Sequence, residues 1–177
     1  QSTAAAKSAP EKNTSVEKSP VSNVIKVVNN WADKILKITL DNVNIKADKA
    51  AMSISGSGNV TLELDGKNKL QSGMNYAGLS KNNGDNGNDG TLTIQDKNGT
   101  SGSLESHGGA GGAGIGSDIS KDTSHIVIDS GEITAVGGIG AAGIGGGNAA
   151  FPRDNGRGRA TDITIAGGTV KAEGGAA

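Results

Sequence analysis

The sequence predicts an all-β protein built as a right-handed parallel β-helix, a solenoid of about five coils. Glycine supplies 30 of the 177 residues, so the chain can turn every few residues. There is one Trp, one Tyr and one Phe, so the core must be thin and built from small and β-branched side chains. Three short apolar segments recur in a fixed order, which is typical of stacked repeats that share one core.

The repeated unit consists of three short strands. The first recurs with the leading apolar residues Ile38, Leu62, Leu92, Ile126 and Ile163. The second recurs with Ile45, Leu70, Leu104, Ile133 and Val170. The third is a segment of small residues, at 77–79, 113–115 and 142–144. Because side chains alternate between the two faces of a strand, we predict that each apolar set forms one inward column.

The two ends of the chain differ from the repeats. Residues 1–22 are rich in Ser, Ala, Lys, Glu and Thr, so we expect a disordered linker there and the β-helix over 23–177. The spacing within Val24–Ile35 would suit a capping helix, but its β-branched first half favours a strand. The chain ends at Gly174–Ala177, where earlier copies continue with Gly-Ile-Gly, so we expect a last coil cut mid-repeat in a fragment of a longer array.

Composition narrows the function classes. Without cysteine, the chain has no disulfide, no Cys-ligated zinc and no thiol nucleophile. No apolar run approaches the length of a membrane span, and a net charge of -1 gives no reason to expect nucleic acid. The two histidines, His107 and His125, have no nucleophile motif beside them, so no catalytic triad is predicted.

Four segments carry a family resemblance: ITLDNVNIKA, GAGIGSD, ITAVGGIGAAGIGGG and DITIAGGTVKAEGGAA. They resemble the repeats of secreted and surface proteins of clostridia and related gut Gram-positive bacteria, commonly described as carbohydrate-binding-domain proteins. The resemblance covers residues 24 to 177. It implies a fold like that of pectate lyases, calcium binding, and binding of cellulose or acidic plant polysaccharide without evident lyase activity. Most of the shared residues are structural glycines and core aliphatics, so they specify the fold better than the ligand.

A candidate calcium site lies in the stretch of Asn, Asp and Gly at residues 82–90. Asp85, Asp89 and Asp96 have the spacing of a loop that wraps a cation with hard oxygen ligands. Gly87 at the third position and Asp96 in place of a final Glu depart from the helix-flanked calcium loop. A plain Asn/Gly hairpin turn is the alternative for this segment.

Two candidate ligand-binding surfaces follow from polar residues. The insertion at residues 151–159 holds the only Phe and all three arginines of the chain, Phe151, Arg153, Arg157 and Arg159. Arginine pairs with carboxylates through two parallel hydrogen bonds, and an aromatic ring offers a stacking face for a sugar. The second candidate is Glu105 with His107, on a predicted outward column of Lys46, Gln71, Glu105, Thr134 and Lys171. A flexible loop and a solvated face are the respective alternatives.

We therefore expect a non-catalytic polysaccharide-binding module of a secreted or cell-surface protein, part of a longer chain. An acidic polysaccharide, such as a uronate polymer, is the specific candidate ligand, and calcium is the candidate cofactor. The alternatives are a structural stalk or adhesin repeat without a ligand, and a polysaccharide lyase. A lyase of this shape would need carboxylates on adjacent coils with a base nearby, and the predicted columns align no such cluster.

Overall fold

The computed structural model describes residues 19–85, 87–149 and 156–176. These residues form 15 strands and no helix, which confirms the all-β prediction and the strand at the start of the β-helix domain. Accordingly, the described part of the chain has no helix long and apolar enough to cross a membrane. Residues 1–18 of the predicted linker lie outside the described residues, whereas Val21 forms a parallel bridge with Ile45.

The strands form three parallel sheets of five strands each. Sheet 1 contains β1 (Ile25–Val28), β4 (Met52–Ser55), β7 (Leu79–Ser80), β10 (Ile115–Gly116) and β13 (Ile144–Gly145). Sheet 2 contains β2 (Leu36–Asp41), β5 (Val60–Asp65), β8 (Leu92–Gln95), β11 (Thr123–Ile128) and β14 (Ala160–Ile165). Sheet 3 contains β3 (Asn44–Lys46), β6 (Lys67–Gln71), β9 (Ser103–His107), β12 (Glu132–Val136) and β15 (Thr169–Glu173). The chain visits sheets 1, 2 and 3 in turn, so each pass is one coil of a parallel β-helix.

The core is a single column of aliphatic side chains inside the coils. Its fully buried members come from all three sheets and include Met52, Leu62, Leu64, Leu79, Leu92, Ile94, Leu104, Ile115, Ile126, Ile128 and Ile133. Burying one such side chain contributes about 1.5–3 kcal/mol. The middle coils therefore hold most of the apolar stabilisation, while Ile165 in the last sheet 2 strand is half exposed.

The predicted columns have the right inward face, and their register is right except at the step between coils 2 and 3. In sheet 2, Ile38 pairs with Leu62 as predicted, but Leu62 then pairs with Ile94. Leu92, which we placed in that column, pairs with Val60 instead. A shift of two residues keeps every side chain on its own face, because the alternation has a period of two. Hydrophobic pattern alone therefore does not detect it.

A similar shift in sheet 3 places a polar residue in the core. Leu70 pairs with Ser106, and Leu104 pairs with the buried Asn68 rather than with Leu70. The Asn68 side chain accepts a hydrogen bond from the backbone N–H of Val43 and donates to the carbonyls of Leu40, Asp65 and Ser103. Both the oxygen and the nitrogen of the Asn68 amide therefore have hydrogen-bond partners. Asn68 joins coils 1, 2 and 3 without leaving a buried polar atom unpaired.

A ladder of glycines forms the corner between sheet 3 and sheet 1. A Cβ added to Gly109 would lie 1.9 Å from the carbonyl oxygen of Gly73, and one added to Gly138 would lie 1.8 Å from that of Gly109. The same holds for Gly175 against Gly138, at 1.8 Å. We call Gly73, Gly109, Gly138 and Gly175 the glycine ladder. Successive coils touch backbone to backbone there, which only glycine permits.

Candidate functional site

The longest loops lie at the corner between sheet 1 and sheet 2, which we call the loop corner. Among the described residues it consists of 29–35, 56–59, 81–85, 87–91, 117–122, 146–149 and 156–159, which lie between the strands of the two sheets in coils 1 to 5. Insertions into a rigid scaffold tend to carry function. Two features that the sequence singled out in loops, the Asn/Asp stretch and the described arginines Arg157 and Arg159, meet at this corner.

A cleft crosses four coils at the loop corner. Its lining comes from coil 1 through Ala32, coil 2 through Ser57, coil 3 through residues 87–89 and coil 4 through His125. The polar residues that line it are Ser57, Asn88, Asp89 and His125. Together these groups supply both hydrogen-bond donors and acceptors.

The only tryptophan of the chain stands next to this cleft. Trp31 directly precedes the lining residue Ala32, and 63% of its surface is exposed. Its backbone N–H donates to the Oδ1 of Asn29 at 3.1 Å, and the Asn29 amide in turn donates to the carbonyls of Lys34 and Asn59. The Lys34 Nζ lies 4.5 Å from the centre of the indole ring. Buried Asn29 therefore fixes the loop that presents an exposed aromatic face.

His125 is held in place by groups from three coils. Its Nδ1 lies 2.9 Å from the Oγ of Ser124, which donates to the Oδ1 of Asn83, also at 2.9 Å. Its Nε2 lies 3.4 Å from the Oδ2 of Asp162. His125 and Asp162 both have positive φ, 55° and 52°, which few residues other than glycine adopt. These contacts fix the imidazole against coils 3 and 5.

The sequence showed no nucleophile motif beside either histidine, and the structure adds a hydroxyl contact to His125, from its neighbour Ser124. Neighbouring residues normally point to opposite faces of a strand, but the positive φ of His125 interrupts the alternation and brings the Ser124 hydroxyl to its ring. Ser124 is only 5% exposed, and its oxygen already contacts two groups. We therefore assign it to positioning His125 and not to nucleophilic attack.

A buried lysine lies at the start of the longest described loop. Lys81 is 3% exposed, its backbone is fixed by Gly116, and its carbonyl accepts a hydrogen bond from the Thr123 hydroxyl. Burial lowers the pKa of the Lys81 ammonium below the ordinary lysine value, while the negative charge of Asp89 opposes that shift. Lys81 therefore interacts through its charge with Asp89, which lines the cleft.

The three predicted calcium ligands do not come together. Asp85 and Asp89 precede β8 whereas Asp96 follows it, so the whole strand separates them. Both Asp89 oxygens accept the N–H of Gly84, and the Asp96 Oδ2 accepts the N–H of Gly102. No three His, Cys, Asp or Glu residues within the described ranges are close enough to hold a metal ion. Calcium binding through another arrangement of the loop stays a prediction.

Glu105 and His107 do come together, on the outer face of sheet 3. The His107 Nε2 lies 2.5 Å from the Glu105 Oε1, which also pairs with the Lys69 Nζ at 3.0 Å. Burial raises the pKa of Glu105, but the hydrogen bonds and charges of Lys69 and His107 outweigh this and lower it below the ordinary value. The predicted outward column needs correction, since Glu105 pairs with Lys69 and Thr134, not with Gln71.

Of the four residues of the predicted arginine surface, the structure describes Arg157 and Arg159. Arg157 and Arg159 are exposed and precede β14 at the loop corner, where the backbone N–H of Arg159 donates to the Oδ1 of Asp122 at 2.7 Å. Phe151 and Arg153 lie outside the described residues. The arginines and the Glu105 pair therefore belong to different faces of the solenoid and do not form one surface.

Comparison with protein-family models, with curated proteins and with solved structures finds no match to this chain. Fold and site together define a parallel β-helix repeat protein with a cleft on one corner. Sequence reasoning missed Trp31 as a surface residue, because its spacing with Val24, Val27, Val28 and Ile35 suggested a core role. A signal was present nonetheless, since Asn30 and Asp33 flank Trp31 with polar residues typical of a loop.

Proposed function

We propose that this protein is a non-catalytic polysaccharide-binding module that binds its ligand along the loop corner. The observation that carries the proposal is the exposed Trp31 beside a polar cleft. An indole face stacks on the apolar face of a sugar ring, and Trp loses little conformational entropy on binding. Its exposure costs stability unless a ligand covers it, because a large apolar surface is left in water.

The polar lining of the cleft supports a hydroxyl-rich ligand. Asn88 can donate and accept hydrogen bonds, and Asp89 can accept them. The Ser57 hydroxyl already donates to the carbonyl of Asn30, which leaves its oxygen as an acceptor. His125 lines the cleft with both ring nitrogens already in contact with Ser124 and Asp162. Such a mixture suits sugar hydroxyls, which also donate and accept. Because the lining residues come from four successive coils, the cleft extends across the stack and fits a linear polymer better than a single small molecule.

The family resemblance supports the same function and adds the cellular setting. We propose that the module acts outside the cell, in a secreted or surface-attached protein, with calcium as a candidate cofactor and an acidic polysaccharide as one candidate ligand. Arg157 and Arg159 lie at the same corner as the cleft, which favours contact between them and the carboxylates of such a polymer.

The test uses the fluorescence of Trp31 to report ligand binding. Because the chain has one tryptophan, a change in tryptophan fluorescence during titration with oligosaccharides reports binding next to the cleft. Neutral cello-oligosaccharides and acidic oligogalacturonides are compared, each in calcium and in chelator. Trp31→Ala should lower the affinity measured by calorimetry by roughly tenfold or more, as for other aromatic binding hot spots.

Ile139→Ala is the matched control, since Ile139 is 62% exposed at the opposite glycine-ladder corner. It should change affinity by less than about twofold. Absence of binding to every polymer tested would favour the structural stalk. Release of unsaturated products from pectate would instead favour a lyase.

A further inference from the structure

The loop between β8 and β9 contains an Asn–Gly step at Asn98 and Gly99. An asparagine followed by glycine is chemically vulnerable, because the next backbone nitrogen can attack the side-chain amide carbon. Glycine offers that nitrogen with the least steric hindrance and the most backbone freedom. The contacts of Asn98 in the folded protein determine how readily this attack can occur.

The Asn98 amide carbonyl is already polarised. Its Oδ1 accepts a hydrogen bond from the Thr100 backbone N–H at 3.3 Å. It is also the nearest acceptor of the Thr100 hydroxyl, at 2.8 Å, a proton that Asp65 and the carbonyl of Leu64 can accept at 3.0 and 3.3 Å. Donors placed on a carbonyl oxygen stabilise the negative charge that develops there when a nucleophile adds to the carbon. The Asn98 Nδ2 points the other way and donates to Asp65, so the group that would leave faces a carboxylate.

The attacking nitrogen is accessible. Among the described residues, no group accepts a hydrogen bond from the Gly99 N–H, and Gly99 is exposed. Its φ is +76°, and a Cβ built on it would meet no atom within 4 Å. The space around Gly99 is therefore open to solvent and to the base that removes the amide proton.

A second Asn–Gly step, Asn83–Gly84, differs at the attacking nitrogen. The Gly84 N–H donates to both oxygens of the Asp89 carboxylate, at 2.9 and 3.1 Å. The Asn83 Oδ1 accepts the Ser124 hydroxyl, so this carbonyl is polarised like that of Asn98 and does not distinguish the two steps. Removing the Gly84 proton would create a negative nitrogen against a carboxylate, so a hydrogen bond to a charged acceptor protects this step by roughly tenfold or more.

We propose that Asn98 is a spontaneous deamidation site of the folded protein and that Asn83 is protected. Hydroxide removes the Gly99 amide proton, and the nitrogen forms a bond to the Asn98 Cγ. The bond from Cγ to Nδ2 then breaks, and Nδ2 leaves as ammonia after taking a proton from water. Water next opens either carbonyl of the cyclic imide, which yields aspartate or isoaspartate at position 98 without any change in oxidation state.

The product changes contacts at the corner between sheets 2 and 3. The contacts of the loop corner are not affected. A carboxylate at position 98 loses the amide donation to Asp65 and places two negative charges together. Isoaspartate also adds a methylene to the backbone beside Glu63, whose oxygen accepts the N–H groups of Lys97 and Asn98 at 2.6 and 3.0 Å. The inference does not rest on polysaccharide binding, because the cleft lies at a different corner.

The experiment compares folded and denatured protein incubated at mildly alkaline pH. Peptide mapping by mass spectrometry, with detection of isoaspartate, follows each Asn–Gly step over time, including 86–87 and 155–156. The denatured rate corrects for local sequence, and the quantity compared is the folded-to-denatured rate ratio. We expect this ratio to be roughly tenfold or more higher at Asn98 than at Asn83.

Three variants separate the causes. Asp89→Ala should raise the rate at Asn83 and leave that at Asn98 unchanged, whereas Thr100→Val should slow Asn98 by removing the hydroxyl donor. Asn98→Gln should abolish the modification at that position, because a six-membered imide forms far more slowly. Equal rate ratios at Asn83 and Asn98, or conversion of Asn98 only in the denatured protein, would overturn the proposal.

Discussion

The glycine ladder and the tip of the 81–91 loop place different demands on glycine. At the glycine ladder, a Cβ on Gly138 would lie 1.8 Å from a backbone oxygen of the preceding coil. At the tip of the loop, a Cβ on Gly84 would meet nothing closer than 3.4 Å, and one on Gly87 would meet nothing within 4 Å. The base of the loop corner resembles the ladder, since a Cβ on Gly90 would lie 2.0 Å from the carbonyl oxygen of Gly58. Backbone contact therefore requires glycine at the ladder and at the base of the loop corner, whereas the tip of the loop is free to vary.

Backbone hydrogen bonds follow the same division. At the glycine ladder, Gly109 donates to the carbonyl of Tyr76 at 3.0 Å, and Gly111 donates to that of Ile139 at 3.2 Å. The base of the loop corner is joined in the same way, since Gly90 donates to the carbonyl of Gly56 at 3.0 Å. At the tip of the loop, residues 87–89 line the cleft, and the Gly87 N–H donates within the loop, to Gly84. A change in length therefore has different consequences at the ladder and at the loop tip.

The largest expected effect comes from inserting residues. A Gly-Ser pair inserted after Gly111 should lower the free energy of unfolding by about 3 kcal/mol or more, because it displaces at least three inter-coil or turn hydrogen bonds worth about 1 kcal/mol each. The same pair after Gly87 should cost less than about 0.6 kcal/mol, since loop closure depends weakly on length. Urea unfolding of both variants measures the difference. Similar losses at the two sites would show that the corners are equally constrained.

A smaller effect is expected from adding one methyl group. Gly138→Ala should cost about 1–3 kcal/mol, because the new Cβ overlaps the Gly109 carbonyl and forces the coils apart. Gly84→Ala is the matched control and should stay within about 0.5 kcal/mol of the wild type. Neither residue has a positive φ, so sterics alone distinguish them. Equal melting temperatures for the two variants would contradict the glycine ladder as a constraint.

The smallest effect concerns the buried lysine of the loop corner. The pKa of Lys81 is lowered in the folded protein by burial, so above that pKa and below the ordinary lysine pKa the unfolded state binds more protons. Wild-type stability should therefore rise with pH as the medium approaches the ordinary lysine range. Lys81→Met should be neutral or more stable by about 1 kcal/mol at pH 7 and should lack this rise.

The exposed Lys121, on the neighbouring loop, provides the control for this measurement. Lys121→Met should keep the wild-type slope of stability against pH between neutral and mildly alkaline solution. If Lys81→Met and the wild type have the same slope, then Lys81 is not the group responsible.

The repeat pattern was sufficient to predict the strands of sheets 2 and 3 and their inward faces, whereas the predicted third segments overlap the strands of sheet 1 only at Leu79, Ile115 and Ile144. It failed on register between coils 2 and 3, because Leu92 and Ile94 are both inward, and pairing with Leu62 is decided by turn length rather than by hydrophobicity. Asn68 shows the same limit. Its buried position depends on carbonyls of other coils, which the local sequence does not reveal.

The candidate site was less predictable than the fold. The Asn/Asp stretch at 82–90 was correctly placed in a loop, but the side chains that share its cleft come from residues as distant as Ala32 and His125. Such proximity depends on how many residues each coil contains. The contact between Ser124 and His125 arises from a positive φ within a strand, which alternation rules exclude.

The arrangement of the cleft also determines how the solenoid would carry mechanical load. A pull on the chain terminus peels the end strand and breaks its hydrogen bonds one after another. A polymer held by Ala32, Ser57, Asp89 and His125 would instead grip coils 1 to 4 together. Tension would then enter through several coil interfaces at once, each with backbone bonds in three sheets. Under this loading, a polymer bound in the cleft would hold the coils together against unravelling.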